Sequence, residues 1–144
     1  MITIDSSVLV PWICERGSAL PVVGATSIGW MRDDEIVAGV MYERYTGQSI
    51  EASIVVEGGA SITRPFLWAM FDYPFNQLNV SKILAYCNST NAKSIRLLTK
   101  LGFYPQALIE DVYEDGDLVI YTMTKQQCEW LEKLHEKGES TQSS

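Results

Sequence analysis

The stretch that most restricts the fold is NAKSIRLLTKLGF, Asn91 to Phe103, set between one strand-like run that ends in CNST and another that begins FYPQALI. Its pattern predicts a short helix with both ends marked. Asn91 caps the first turn with its side-chain oxygen, Ile95, Leu97, Leu98 and Leu101 form an apolar side, and Gly102 supplies the left-handed residue that stops it. Lys93, Arg96 and Lys100 recur at spacings of three and four, so they share a face and leave a positive stripe beside the apolar one.

The flanking chain sets the context of that helix. Ser6 to Cys14 reads as a short helix, and Pro11, Gly17, Pro21 and Gly24 argue against anything longer. From Ile28, IGWMRDDEIVAGVMYERY reads as two strands joined at Asp33 to Glu35, Thr46 to Ser49 turns the chain back, and Ile50 to Val56 is the next strand. Ser61 or Thr63 can cap a helix with Pro65 in its first turn, and Pro74 should kink it or end its regular part. Val80 to Cys87 is a strand, Phe103 to Tyr113 and Leu118 to Met123 form a hairpin around Asp115 and Gly116, and Thr124 with Gln127 opens a last helix through His135.

The expected order is three strands, helix, strand, helix, two strands, helix. That is a mixed α/β sheet flanked by helices: an antiparallel meander, then a helical crossover that makes the strands ending at Val56 and Cys87 parallel. The 144 residues, 47% of them hydrophobic, suit a single domain over 1–137 with a reduced N-terminal segment, followed by a disordered tail at 138–144. A net charge of -7 disfavours nucleic acid and anionic lipid as partners and favours cationic amines. Cys14, Cys87 and Cys128 give neither a disulfide framework nor a metal-site spacing, so no metal is expected and the setting is read as reducing and cytoplasmic. No signal segment and no membrane span are read from the sequence.

Asn91, Ser94, Leu97, Lys100, Leu101, Gly102 and Phe103 spell Asn-x-x-Ser-x-x-Leu-x-x-Lys-Leu-Gly-Phe, which resembles the best-known motif of the GCN5-related N-acetyltransferase (GNAT) superfamily. With Phe75 late in the preceding helix, the resemblance spans about Ile28 to Thr124. FDYPFNQL and DGDLVIYTMTK are further similar to small acetyltransferase-fold proteins of bacteriophages and prophages, whose host cytoplasm would then be the setting. The segment before Ile28 lacks the N-terminal helices that usually shape the acceptor side, so an open or partner-completed groove is expected.

The resemblance implies acetyl-CoA (coenzyme A) as cofactor, and transfer of its acetyl group to a primary amine of a small molecule or protein. It places the phosphate-cradling loop at Gly58, Gly59, Ala60, Ser61, Ile62 and Thr63, with Arg64 beside it. It places an oxyanion-binding amide within Ile54, Val55 and Val56, and the pantetheine arm beside Asn91, Ser94 and Leu98. The loop departs from the family pattern, holding Gly58, Ser61 and Thr63 where a basic residue and two small ones are usual. Leu98 stands where many members carry the Tyr that protonates the leaving thiolate, which leaves Ser94 as the matching hydroxyl.

Glu51 and Glu43 are the candidate bases on strands flanking the substrate groove, with a solvated strand face as the alternative reading. Ser94 can equally be a helix hydroxyl bonded to the main chain, and GGAS an ordinary loop. His135 gives a Cys-His nucleophilic pair little support, and Trp12, Trp30, Trp68 and Trp130 are read as core or groove walls. Two other functions stay open: a catalytically inactive acetyltransferase-fold protein that binds a partner or joins a virion, and modification of a nucleobase amine in phage DNA. A homodimer is within the same expectations.

Overall fold

The computed structural model describes residues 1–17, 24–57 and 62–131. Along them run β1 (Ile2–Thr3), α1 (Ser6–Arg16), β2 (Thr26–Arg32), β3 (Glu35–Glu43), β4 (Ser49–Val56) and α2 (Arg64–Asp72). A π-helical turn (Tyr73–Gln77) follows, then β5 (Lys82–Asn88), α3 (Ala92–Leu101), β6 (Tyr104–Tyr113) and β7 (Gly116–Thr124).

The strands make one seven-stranded sheet in the order β1-β2-β3-β4-β5-β7-β6. Every neighbouring pair is antiparallel except β4 and β5, which run parallel as the α2 crossover requires. Their pairing covers only Ser49↔Lys82 to Glu51↔Leu84, although β4 continues to Val56 and β5 to Asn88. The middle of the sheet therefore opens beyond Glu51.

Strand alternation sorts side chains between two layers. Val40 and Tyr42 of β3 and Ile50 and Ala52 of β4 face the main core with Phe66, Phe71 and Phe75 of the crossover and Leu98 and Leu101 of α3. Met41 of β3 and Val55 of β4 face the opposite side, against Val10 and Ile13 of α1. The regular part of α2 ends at Asp72, ahead of Pro74, and Thr63 caps its start by accepting from the Phe66 N–H.

The helix read over Ser6 to Cys14 forms and runs two residues further, to Arg16, with Pro11 inside it. Pro11 faces solvent while Leu9 and Ile13 are completely buried. Each of those two contributes about 1.5–3 kcal/mol, which offsets the roughly 3 kcal/mol cost of an interior proline. A Cβ at Gly29 would overlap the Leu9 side chain, so β2 needs glycine where α1 lies against it. The two residues of β1 carry too little periodicity to be read from sequence.

α3 has the expected ends. Asn91 Oδ1 accepts from the Ser94 N–H at 3.1 Å. At the other end Gly102 sits at φ 104°, and the Phe103 N–H returns to the Leu98 carbonyl at 3.0 Å, closing the last turn. Thr124 and Gln127 exchange two reciprocal bonds, at 2.9 and 3.3 Å, but these close a turn over 125–127, and the helix expected to open at Thr124 begins only at Glu129. Gly58 to Ser61, His135, the 137/138 boundary and the expected tail lie outside the described residues.

Candidate active site

The opening in the sheet exposes a strand edge. The Glu57 N–H donates to the Val37 carbonyl at 2.9 Å, so Glu57 points its backbone toward β3. Ile54 and Val56 therefore turn their N–H and C=O groups the other way, toward a β5 that no longer pairs with them. Ile54, Val55 and Val56 form one wall of a cleft of about 440 Å³, and Asn91, Ser94 and Leu97 of α3 form the other. A small cavity of about 30 Å³ continues between the strands, lined by Ala52, Ile54, Ala85, Tyr86, Ser94, Leu97 and Leu98.

Lys93, Arg96 and Lys100, the positive stripe of α3, all line the cleft. Arg16 joins them from α1, its Nε 2.6 Å from Glu57 Oε1 and its guanidinium 4.3 Å from the Trp12 ring centre. The cleft thus joins unpaired main-chain groups to a cationic rim, which suits an elongated ligand carrying amides and phosphates.

Of the expected cofactor residues, Ile54, Val55, Val56, Asn91, Ser94 and Leu98 meet around this cleft and its inner cavity. Ile62, Thr63 and Arg64 are not among its described lining residues. Ile62 packs on the core, Thr63 is occupied as a helix cap, and Arg64 is exposed. Asn91 uses its side-chain oxygen in the α3 cap and keeps its amide N–H groups for a ligand contact.

Glu51 is bonded on two sides. Arg44 Nε lies 2.7 Å from Glu51 Oε2, and the Tyr86 hydroxyl hydrogen-bonds to the same carboxylate, which pushes the phenol pKa up. Glu43 is the residue opposite Glu51 on β3; burial, and then the Glu51 charge, raise its pKa. Cys14 on α1 is raised for a like reason, by burial and then by Glu43. On the core side Cys87 is raised by burial, with its hydrogen bond to Ser94 acting against that.

Tyr86, Arg44 and Arg16 were missed by the sequence reading. Tyr86 had a usable signal. In KILAYCN it occupies an outward position between Ala85 and Cys87, both buried, and so had to point away from the core beside Glu51. Arg16 is the last residue of α1 and Arg44 follows the end of β3, positions where local periodicity carries little information. Among the described residues no group of three His, Cys, Asp or Glu is placed to hold a metal ion, and no helix is long and apolar enough to cross a membrane.

Residues 7–104 match the family model for the acetyltransferase (GNAT) domain. The chain belongs to the GNAT acetyltransferase family. Its fold is shared with N-acetyltransferase PseH of Campylobacter jejuni, solved in complex with acetyl coenzyme A, at 17% identity and a TM-score of 0.55 over 72% of this chain and 70% of that one. Ribosomal-protein-S5-alanine acetyltransferase of Vibrio fischeri aligns at 19% identity and 0.58, over 72% and 63%. A variant of spermidine N-acetyltransferase SpeG of Vibrio cholerae aligns at 18% and 0.61, over 77% and 70%. The chain thus spans about two thirds of the length of these structures. No curated protein sequence matches it.

Proposed function

We propose that this protein is an acetyl-CoA-dependent N-acetyltransferase acting on a primary amine of a small molecule or protein. The observation that carries the reading is the cleft where β4 leaves β5, with unpaired backbone at Ile54 and Val56 on one wall and the basic face of α3 on the other. The residues fit the cofactor: Lys93, Arg96, Lys100 and Arg16 offer positive charge to its phosphates, and the β4 edge offers N–H and C=O groups to its amide-bearing arm. Acetyl-CoA, when bound, supplies an activated acyl thioester.

The chain's own groups account for the protons and the charge. An N–H of Ile54 or Val56 donates to the oxygen on which negative charge develops. Glu51, held by Arg44 and Tyr86, takes a proton from the amine directly or through water. Ser94, lining both the cleft and its inner cavity, is the matching hydroxyl for the departing sulfur. The acidic face around Glu43 and Glu51 draws in a cationic acceptor, in line with the net charge of -7. Neighbours named for spermidine and for an alanine of ribosomal protein S5 support an amine acceptor.

The reading extends, on Phe71 to Leu78 and Asp115 to Lys125, to the small bacteriophage or prophage type working in a host cytoplasm. A non-catalytic binding or virion role and nucleobase modification are favoured by no feature of the described residues. The test is thiol release from acetyl-CoA, followed with a thiol reagent, across primary amines that include polyamines and peptide N-termini. Amine-dependent release supports the reading; release no faster than buffer hydrolysis with every amine overturns it.

A further inference from the structure

A second cavity lies at the β1–β2 edge of the sheet, away from the central opening. β1 pairs with β2 at Ile2↔Trp30 and Thr3↔Gly29, so among the described residues the outer edge of β2 over Thr26 to Ile28 has no strand beside it. Against that edge α2 and the π-helical turn bring Trp68, Asp72 and Tyr73, and a cavity of about 440 Å³ opens between them. Among the described residues it shares no lining residue with the cleft.

Asp72 is its unusual member, with only 8% of its surface exposed. Its two oxygens each accept one hydrogen bond from a neutral amide, Oδ1 from Asn76 Nδ2 at 2.9 Å and Oδ2 from Gln77 Nε2 at 2.8 Å. A carboxylate has about four acceptor sites, so roughly half its capacity is unused. Buried carboxylates are as a rule paired with a cation. No ion pair among the described residues includes Asp72.

The rim gives an independent indication. Ile2, Ile4 and Trp68, which are 41%, 73% and 43% exposed, all line this one cavity. Apolar surface gathered around a concave pocket that holds an anion calls for a ligand with an apolar body and a positive head. The indole of Trp68 adds a face that attracts cations.

We propose that this cavity binds an amphiphilic organic ammonium ion, with the ammonium on Asp72 and the apolar body between Ile2, Ile4 and Trp68. Neutral amides orient the carboxylate while leaving its charge to the ligand, and the net charge of -7 adds long-range attraction.

The test uses the full chain, with amide and indole shifts followed by NMR. Phenethylammonium is titrated beside its neutral counterpart 2-phenylethanol. The ammonium ion is expected to give saturable shifts at Thr26 to Ile28 and at Trp68, with the alcohol binding about tenfold more weakly. Asp72→Asn removes that preference, and Trp68→Ala weakens the ammonium ion about fivefold. Should Asp72→Asn fail to fold, the probe pair on the wild type and Trp68→Ala decide. Saturating acetyl-CoA leaves the titration unchanged, so its outcome is separate from that of the acetyltransferase reading. Equal binding of both probes, shifts confined to Lys93 to Lys100, or no saturable shift overturns the proposal.

Discussion

Glu43 on β3 and Glu51 on β4 are direct cross-strand partners, two carboxylates side by side on the α1 face of the sheet. Only Glu51 has an ion-pair partner among the described residues, Arg44 at 2.7 Å. Burial, and then the Glu51 charge, hold the Glu43 pKa above its ordinary value. A carboxyl raised in the folded state favours folding below its unfolded pKa, and that contribution is lost as pH rises through the folded value.

Glu43→Gln should therefore stabilise the protein at neutral pH and lose its advantage in acid, below the ordinary carboxylate range. Like charges placed opposite each other cost roughly 0.2–1 kcal/mol, and solvent exposure with Arg44 nearby puts the gain at the low end. Thermal melts of both proteins at pH 7.5 and pH 4 check this: a gain of about 1–2 °C at the higher pH is expected, shrinking at the lower. An equal gain at both would mean that the charge is not its source.

The basic face of α3 should act through charge. Arg96→Gln is expected to weaken acetyl-CoA binding about three- to tenfold at low salt, with the gap narrowing as salt screens the cleft. Titration at two ionic strengths reads this directly. A loss that does not depend on salt would argue for a packing role.

Removing either hydroxyl at the inner cavity tests its use. Tyr86→Phe deletes the hydrogen bond to Glu51 and should lower kcat/KM for the amine about tenfold or more while leaving acetyl-CoA affinity unchanged. Ser94→Ala with an unaltered rate would remove Ser94 from proton delivery and leave the fold assignment standing.

Gly102 supplies a check on the fold itself. At φ 104° an added Cβ would meet only Met123 Cε at 3.5 Å, an ordinary contact, so the cost is conformational. Gly102→Ala should lose about 1 kcal/mol, or roughly 2–5 °C in Tm, with no change in acetyl-CoA affinity.

How much was legible in the sequence depends on whether the signal is local. Asn91, Gly102 and Pro74 act within one turn of the chain, and each sits where its chemistry predicts; the Thr124–Gln127 pair forms its two bonds but closes a turn ahead of the helix that starts at Glu129. The parallel β4–β5 pair follows from the length and helical character of the connection. What was not legible comes from distant packing. The helix over Ser6 to Cys14 was read, but not where it packs: Leu9 and Ile13 meet Gly29 and Gly39, residues far along the chain. The Glu51 cluster joins Arg44, seven residues away, to Tyr86 on a strand reached only after the crossover. The expected cofactor stretch divides in the same way: Ile54 to Val56 reach the cleft, while Thr63 serves as a helix cap.

The most direct test of the central claim is calorimetric titration of the full chain with acetyl-CoA. Saturable one-to-one binding in the micromolar range, weakened by Arg96→Gln, is what the cleft between β4 and α3 predicts. No heat of binding up to about millimolar acetyl-CoA, a standard free energy weaker than about -4 kcal/mol, would contradict it.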